Sequence, residues 1–181
     1  QNQALFAILG TTYGGNGVTT FALPDLRGRS VVGTGNGITL GETLGSTQLT
    51  LTSAVMPTDM GGSGGAIDNR APGLALNYLI ALQGVFPSQE DGSAPEDAHY
   101  LGEIIVFAGN TVPNGYARCE GQLLQISQNT ALFALIGTQY GGDGRTTFAL
   151  PDFRGRVAVG SDPNEGFDVG MTFGSSQVTL T

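Results

Sequence analysis

Two short charged motifs are the first candidates for chemistry, because each places an aspartate two and four residues before an arginine. Catalysis by such a motif would also require a nucleophile or a partner acid nearby, and neither surrounding sequence indicates one. Charge-assisted hydrogen bonds between carboxylate and guanidinium groups instead stabilise turns. We therefore predict a structural ion pair, or turn lock, at both motifs, which comprise Asp25, Arg27 and Arg29, and Asp152, Arg154 and Arg156.

A glycine-rich stretch at residues 140–147, YGGDGRTT, invites comparison with a phosphate-binding loop. Such a loop requires a lysine before the serine or threonine, and a strand that leads directly into a helix. Here Arg145 precedes Thr146, and the order of the predicted elements is reversed. The sequence therefore predicts no nucleotide binding at this stretch.

The sequence contains few residues that could bind a metal ion. The one histidine, His99, lies in a polar segment without an apparent partner, and the lone Cys119 is more consistent with a small buried sulfur than with a reactive thiol. Calcium would need several converging oxygens around Asp143, yet Asn16 takes the corresponding place in a related stretch. We therefore predict no catalytic residue, no metal site and no cofactor.

Composition excludes further classes of function. The formal net charge of −8, from 7 basic and 15 acidic residues, argues against a nucleic acid partner, because phosphates attract clustered Lys and Arg. No apolar run is long enough to cross a bilayer, so no membrane insertion is predicted. The 30 glycines and only 12% of charged residues indicate a turn-rich chain unlike an ordinary cytosolic enzyme.

The charged motifs lie within an internal duplication. Residues 1–33 align with residues 128–160 at a constant offset of 127 (128 − 1), which indicates two related modules. In each copy the apolar spacing predicts a two-turn helix ended by a glycine, then a glycine-rich turn, an extended segment and a Pro-Asp turn. The copies differ only at Gln3, Ile8, Leu9, Thr12, Asn16, Val18, Leu26, Ser30 and Val31.

Segments outside the copies complete the predicted modules. Residues 45–52 and their twin, residues 174–181, alternate apolar and polar side chains, which predicts half-buried strands. Residues 53–70 are rich in glycine and predict a flexible loop. Residues 74–86 favour a strand with one apolar face over an amphipathic helix, and residues 104–109 predict a buried strand.

The predicted fold class is α+β, with mostly short β-strands, long glycine-rich loops and one short helix per repeat. The polar residues 89–100 predict a linker between a first module, residues 1–88, and a second module, residues 101–181. The first module lacks the leading strands that the second has, and the second lacks the closing strand of the first. We expect neighbouring subunits, or other parts of the same gene product, to supply the missing strands.

The sequence ALFALIGTQYGGDGRTTFALPDFRGR at residues 131–156, with LGEIIVFAGNTVPNGYARCEGQLLQIS at residues 101–127 before it, resembles the phage tail collar domain of phage tail fibres and of bacterial microcystin-dependent proteins. Residues 71–82, APGLALNYLIAL, are similar to the extended segment that closes such domains. The resemblance implies a structural or receptor-binding part of an extracellular appendage or virion, not an enzyme. Some similar tail fibres hold ions with closely spaced histidines, which this chain does not have.

Two functions follow from these expectations. The first is a non-enzymatic structural subunit that assembles with copies of itself into a fibre, ring or filament outside the cell. The alternative is a receptor-binding or adhesive tip that recognises surface glycan or envelope. Glycan sites commonly stack sugars on exposed aromatic rings, and without Trp the candidate residues are Tyr13, Tyr100 and Tyr140.

Overall fold

The computed structural model describes residues 2–87 and 99–180. Two helices, α1 (Gln3–Leu9) and α2 (Thr130–Ile136), and several small sheets confirm a mixed α+β fold. The strands in this part of the chain are β1 (Ser30–Gly33), β2 (Thr43–Leu44), β3 (Ala66–Asp68), β4 (Gly73–Ala81), β5 (Ile104–Phe107), β6 (Tyr116–Arg118), β7 (Leu123–Gln125), β8 (Thr147–Ala149) and β9 (Gln177–Thr179). None of the helices described is long and apolar enough to span a bilayer.

Each copy forms the predicted two-turn helix, and a glycine ends both. Gly10 adopts a φ of 56° and Gly137 a φ of 54°, a backbone conformation that side chains disfavour. The amide of Gly137 donates a hydrogen bond to the carbonyl of Phe133 and closes the last turn. The extended segment that follows is strand β8 in the second copy, whereas residues 20–22 of the first copy form no strand.

Strand β4 is the centre of the molecule, and all nine of its residues are buried. Residues 73–76 pair in parallel with β1, and residues 73–74 pair antiparallel with β2. Residues 77–81 pair antiparallel with β5 and β6. The predicted strand is therefore confirmed, but the prediction of a single apolar face is wrong, because residues on both faces of β4 are buried.

The same strand joins the two parts of the chain that the sequence divides after residue 88. β1 and β2 come before that boundary and β5 and β6 after it, yet all four pair with β4. A second connection is the antiparallel pair of β3 with β9. The division into two modules stays a prediction, and residues 89–98 of its proposed linker, residues 89–100, lie outside the described residues.

The main core lies between β4 and the second copy. Its buried members are Tyr78, Ile80, Leu101, Cys119, Leu132, Phe148 and Leu150. The first copy is far more exposed at matching positions: Leu5 is 40% exposed against 1% for Leu132, and Leu23 is 61% exposed against 0% for Leu150. Strands β6 and β7, which precede the second copy, add Ala117 and Leu124 to this core. Nearly identical sequence thus forms a buried face in one copy and an open face in the other.

Three other predictions are wrong. Residues 45–52 form no strand and are mostly exposed, although their twin contains strand β9. Residues 53–70 are not an irregular loop, because they contain the 3₁₀ turn Thr58–Met60 and strand β3. Strand β5 is half-buried rather than buried, since it pairs only through one edge with β4 and leaves Ile104 38% exposed.

Candidate functional site

The charged motif of the second copy forms a turn lock. Arg154 donates from Nε to Oδ1 of Asp152 at 2.9 Å and from Nη2 to Oδ2 at 2.8 Å. The backbone amide of Arg154 donates to the same Oδ1 at 3.1 Å. Arg156 adds a bond from Nη1 to the backbone carbonyl of Asp152 at 3.2 Å. All groups of the motif therefore bind one another, and the geometry is that of a fastened turn rather than of a reactive centre.

The first copy repeats this lock at a more exposed place. Arg27 binds both oxygens of Asp25 at 2.8 Å, and Arg29 reaches the backbone carbonyl of Asp25 at 3.3 Å. The side chain of Asp25 is 47% exposed, against 29% for Asp152. The two locks have the same bonds in different surroundings.

A third lock lies outside the duplication, and sequence reasoning missed it. Arg70 binds the two oxygens of Asp68 at 2.8 and 2.7 Å, and its amide donates to Asp68 at 3.0 Å. The signal was present, because Asp68 and Arg70 have the same Asp-x-Arg spacing as the two predicted motifs. This lock lies between β3 and β4 and fixes the turn that leads into the central strand.

The locks change the acidity of their carboxyl groups. The side-chain hydrogen bond from Arg154 lowers the pKa of Asp152 to about 2, although partial burial opposes the shift. The pKa of Asp25 lies well below its usual range, chiefly because of the side-chain hydrogen bond from Arg27. Both carboxylates are therefore ionised at neutral pH and are unsuited to donate a proton.

We expect Asp152→Asn to lower the free energy of unfolding at pH 7 by about 1 kcal/mol, because a partly exposed, charge-assisted lock is lost. The folded pKa lies below the unfolded value of about 3.9. The stabilisation by the carboxylate is therefore complete above about pH 4 and is lost as pH falls through about 2. Urea unfolding of both proteins at a series of pH values measures the difference.

The matched control is Asp25→Asn, which removes the same bonds at the more exposed lock and should cost less stability at pH 7. A stability difference between wild type and Asp152→Asn that stays constant from pH 7 down to pH 2 would contradict the assignment.

The turn held by the second-copy lock also forms hydrogen bonds with the end of β1. These bonds make a junction between the two copies. The amide of Gly33 donates to the carbonyl of Arg156 at 2.9 Å, and the amide of Gly155 donates to the carbonyl of Gly33 at 2.8 Å. A Cβ on Gly33 would overlap the backbone carbonyl of Phe153. The ring of Phe153 stacks on Tyr78 of β4 with centroids 4.5 Å apart. Glycine is therefore required at residue 33 by a close approach of two backbones.

Buried Asn77 strengthens the same junction at the middle of β4. Its Nδ2 donates to the carbonyl of Gly109 at 2.8 Å, and its Oδ1 accepts from the hydroxyl of Thr34 at 2.7 Å. The side chain is 2% exposed, so these bonds satisfy polar atoms that would otherwise be costly to bury. Asn77 thus connects the end of the first copy with the segment that leads into the second.

The glycine-rich turn satisfies Asp143 internally. Oδ1 accepts from the amides of Arg145, Thr146 and Thr147 at 3.0, 2.9 and 2.7 Å. Hydrogen bonds from Thr146 and these amides hold the pKa of Asp143 well below its usual range. Asn16 makes the corresponding bonds in the first copy. The residue therefore closes a turn in both copies, and an amide serves as well as a carboxylate.

The three tyrosines predicted to contact a ligand have different surroundings. The hydroxyl of Tyr13 donates to the carbonyl of Ala108 at 2.7 Å, and burial raises its pKa. Tyr140 is half-buried in the wall of an open groove. Tyr100 is 39% exposed and pairs through its backbone with Val85.

Cys119 lies in the core and is 3% exposed. Burial, helped by the nearby Glu120 carboxylate, raises the pKa of its thiol to about 12. The thiolate that a nucleophile requires is therefore negligible at neutral pH. Among the described residues, no group of three or more His, Cys, Asp and Glu side chains is placed to hold a metal ion.

Duplicated turns held by internal locks and joined by a common strand define a structural module. The phage tail collar domain model matches residues 1–31 and 102–158, which agrees with the resemblance of these stretches to that family. That domain is a structural part of phage tails, and the match supports a virion or tail component. No curated protein and no solved structure gave a significant match.

Proposed function

We propose that the chain is a non-enzymatic structural subunit of a tail fibre or related extracellular appendage, and that its collar-type modules assemble by completing one another's sheets. The observation that carries the proposal is strand β4, whose residues 73–76 pair with strands of the first copy and whose residues 77–81 pair with strands before the second. The strand thus joins segments that the sequence assigns to two different modules.

The open face of the first copy supports assembly beyond a single chain. Leu5 and Leu23 are exposed there, whereas their counterparts in the second copy lie in the core. Apolar surface of this kind favours association, because burial removes it from water. Copies of the same chain are the partners that this proposal names, and surface glycan belongs to the alternative function below.

Electron microscopy of the native material tests the proposal. Regular fibres, rings or filaments that contain this chain as the repeating unit are expected, and sedimentation of the purified chain should show association that rises with concentration. Leu23→Asp should weaken association, whereas Met60→Asp, at a side chain 68% exposed and outside both copies, should not. A chain that stays monomeric at every concentration would contradict self-assembly.

The alternative is a receptor-binding or adhesive tip, supported by the exposed ring of Tyr100. Tyr13 and Tyr140 are half-buried and offer less surface for stacking a sugar. Localisation of the chain solely at an appendage tip, together with binding to host-surface glycan, would favour this alternative over the structural role.

A further inference from the structure

An open groove of about 790 Å³ lies in the second copy. We call it the second-copy groove. One wall contains residues 157–160 and the other contains residues 167–176. Several apolar side chains are exposed there, and they are Val157, Val159, Phe167, Val169, Met171 and Phe173. The groove therefore exposes apolar side chains beside polar ones, and it is bordered by Asn36, Ile38 and Arg70 from the first half of the chain.

The duplication identifies what such a groove holds. Residues 157–160 correspond to β1 at the offset of 127 (157 − 30), and residues 172–173 correspond to β2 at an offset of 129 (172 − 43). In the first half of the chain, β4 lies between β1, which pairs with residues 73–76, and β2, which pairs with residues 73–74. The second-copy groove is the same slot without its strand.

Side-chain exposure changes as this comparison requires. Val32 of β1 is 6% exposed where β4 covers it, and the matching Val159 is 63% exposed. Leu44 of β2 is 8% exposed, and the matching Phe173 is 54% exposed. A strand placed in the second-copy groove would cover both side chains, and burial of apolar surface favours binding.

One wall of the groove, residues 167–176, is placed against the second copy as the segment before β2 is placed against the first. A Cβ on Gly170 would lie 2.8 Å from the carbonyl oxygen of Gln139, and one on Gly41 would lie 3.0 Å from that of Thr12. The turns that precede the walls also match, since Met171 donates to the carbonyl of Asp168 at the same 3.1 Å as in the first copy. This wall is thus already ordered, which lowers the cost of binding a strand beside it.

Backbone groups for a bound strand are in place. In the first half of the chain, the carbonyl of Ala75 in β4 accepts from the amide of Gly41, and the amide of Ala75 donates to the carbonyl of Glu42. On the other edge, the amides of Ser30 and Thr34 donate to the carbonyls of Pro72 and Leu76. The matching groups are the amides of Val157, Ser161 and Gly170 and the carbonyl of Met171. Within residues 2–87 and 99–180, these four groups have no hydrogen-bond partner.

We propose that the second-copy groove binds an extended apolar strand of a collar-type module, with the Gly-aliphatic-Ala-aliphatic pattern of residues 73–76. The strand pairs in parallel with residues 157–160 and antiparallel with residues 172–173, which is recognition by strand addition. This inference rests on the proposed function, because it names the segment that passes from one module to the next.

A fluorescent peptide of residues 70–78, RAPGLALNY, tests the groove by anisotropy with the whole purified chain. We expect saturable binding to wild type. Val159→Asp should weaken binding by about a hundredfold, since it would bury an unpaired charge. Val18→Asp, at a side chain 88% exposed outside the groove, is the matched control and should bind as wild type does. A peptide with aspartate in place of Ala75, which is 0% exposed in β4, should not bind.

The outcomes separate this inference from the proposed function. Peptide binding that needs Val159 supports the groove, even where the chain alone stays monomeric and self-assembly fails. Absence of binding, or equal binding to wild type and Val159→Asp, overturns the groove, even where filaments form. A third outcome also overturns the groove: the chain associates with itself, Val159→Asp abolishes this association, and the peptide does not bind. The surface around Val159 would then contact a second copy without binding a strand.

Discussion

Replacing Leu150 by alanine should lower the free energy of unfolding by about 2–5 kcal/mol, because the side chain is 0% exposed and its loss leaves a cavity in the core. The same replacement at Leu23 should change it by about 0.5 kcal/mol or less at low protein concentration, where the chain is not associated, because that side chain is 61% exposed. Both residues lie in the sequence Phe-Ala-Leu-Pro-Asp, so local propensity is the same. Urea unfolding with matched slopes measures both changes.

The comparison of these two variants has a built-in control for assembly. A large loss for Leu23→Ala that grows with protein concentration would mean that the first-copy face is covered in solution by another molecule. If Leu23→Ala and Leu150→Ala lowered the free energy of unfolding equally at every protein concentration, the open first-copy face would be contradicted. Leu150→Ala should show no dependence on concentration, because its contacts lie within the chain.

Local structure in this protein is predictable from sequence, and burial is not. The duplicated apolar spacing predicted both helices, and the glycines that end them adopt φ values within a few degrees of each other. Whether a helix face is buried depends on which strands pack on it, and those strands lie far away along the chain. Leu5 and Leu132 therefore have the same neighbours in sequence and opposite environments.

The central strand illustrates the same limit. Alternating side chains predicted a strand near residues 74–86, but alternation carries no information about which strands pair with it. β4 has partners on both sides of the predicted boundary, and this arrangement depends on contacts between distant segments. The strand predicted at residues 45–52 failed for the related reason that its twin, β9, pairs with β3, while the first copy has no such partner among the described residues.

The candidate site was predictable where it is made by neighbours in sequence. Asp25 and Asp152 bind arginines two residues away, so composition and spacing were sufficient. The lock of Asp68 and Arg70 has the same spacing and was missed because it lies outside the repeat. The junction between Gly33 and Phe153 joins backbones 120 residues apart (153 − 33), and no local pattern indicates it.

Gly33→Ala should lower the free energy of unfolding by about 3 kcal/mol or more, since the added methyl would overlap the backbone carbonyl of Phe153. The junction would have to open, and its two backbone hydrogen bonds would be lost. Thermal and urea unfolding measure the loss. Hydrogen exchange adds a local readout, because the amide of Gly155, which donates to Gly33, should exchange faster.

Gly160→Ala is the matched control, because residue 160 corresponds to residue 33 at the offset of 127 (160 − 33). A Cβ on Gly160 would have no neighbour within 4 Å, so this variant should be as stable as wild type or slightly more stable. Equal destabilisation by the two substitutions would mean that the junction is not formed in solution. Gly160→Ala could also leave the chain stable but prevent its association. This result would indicate that the backbone of a further module approaches Gly160, as the second-copy lock approaches Gly33, because the methyl group is costly only where another backbone docks against it.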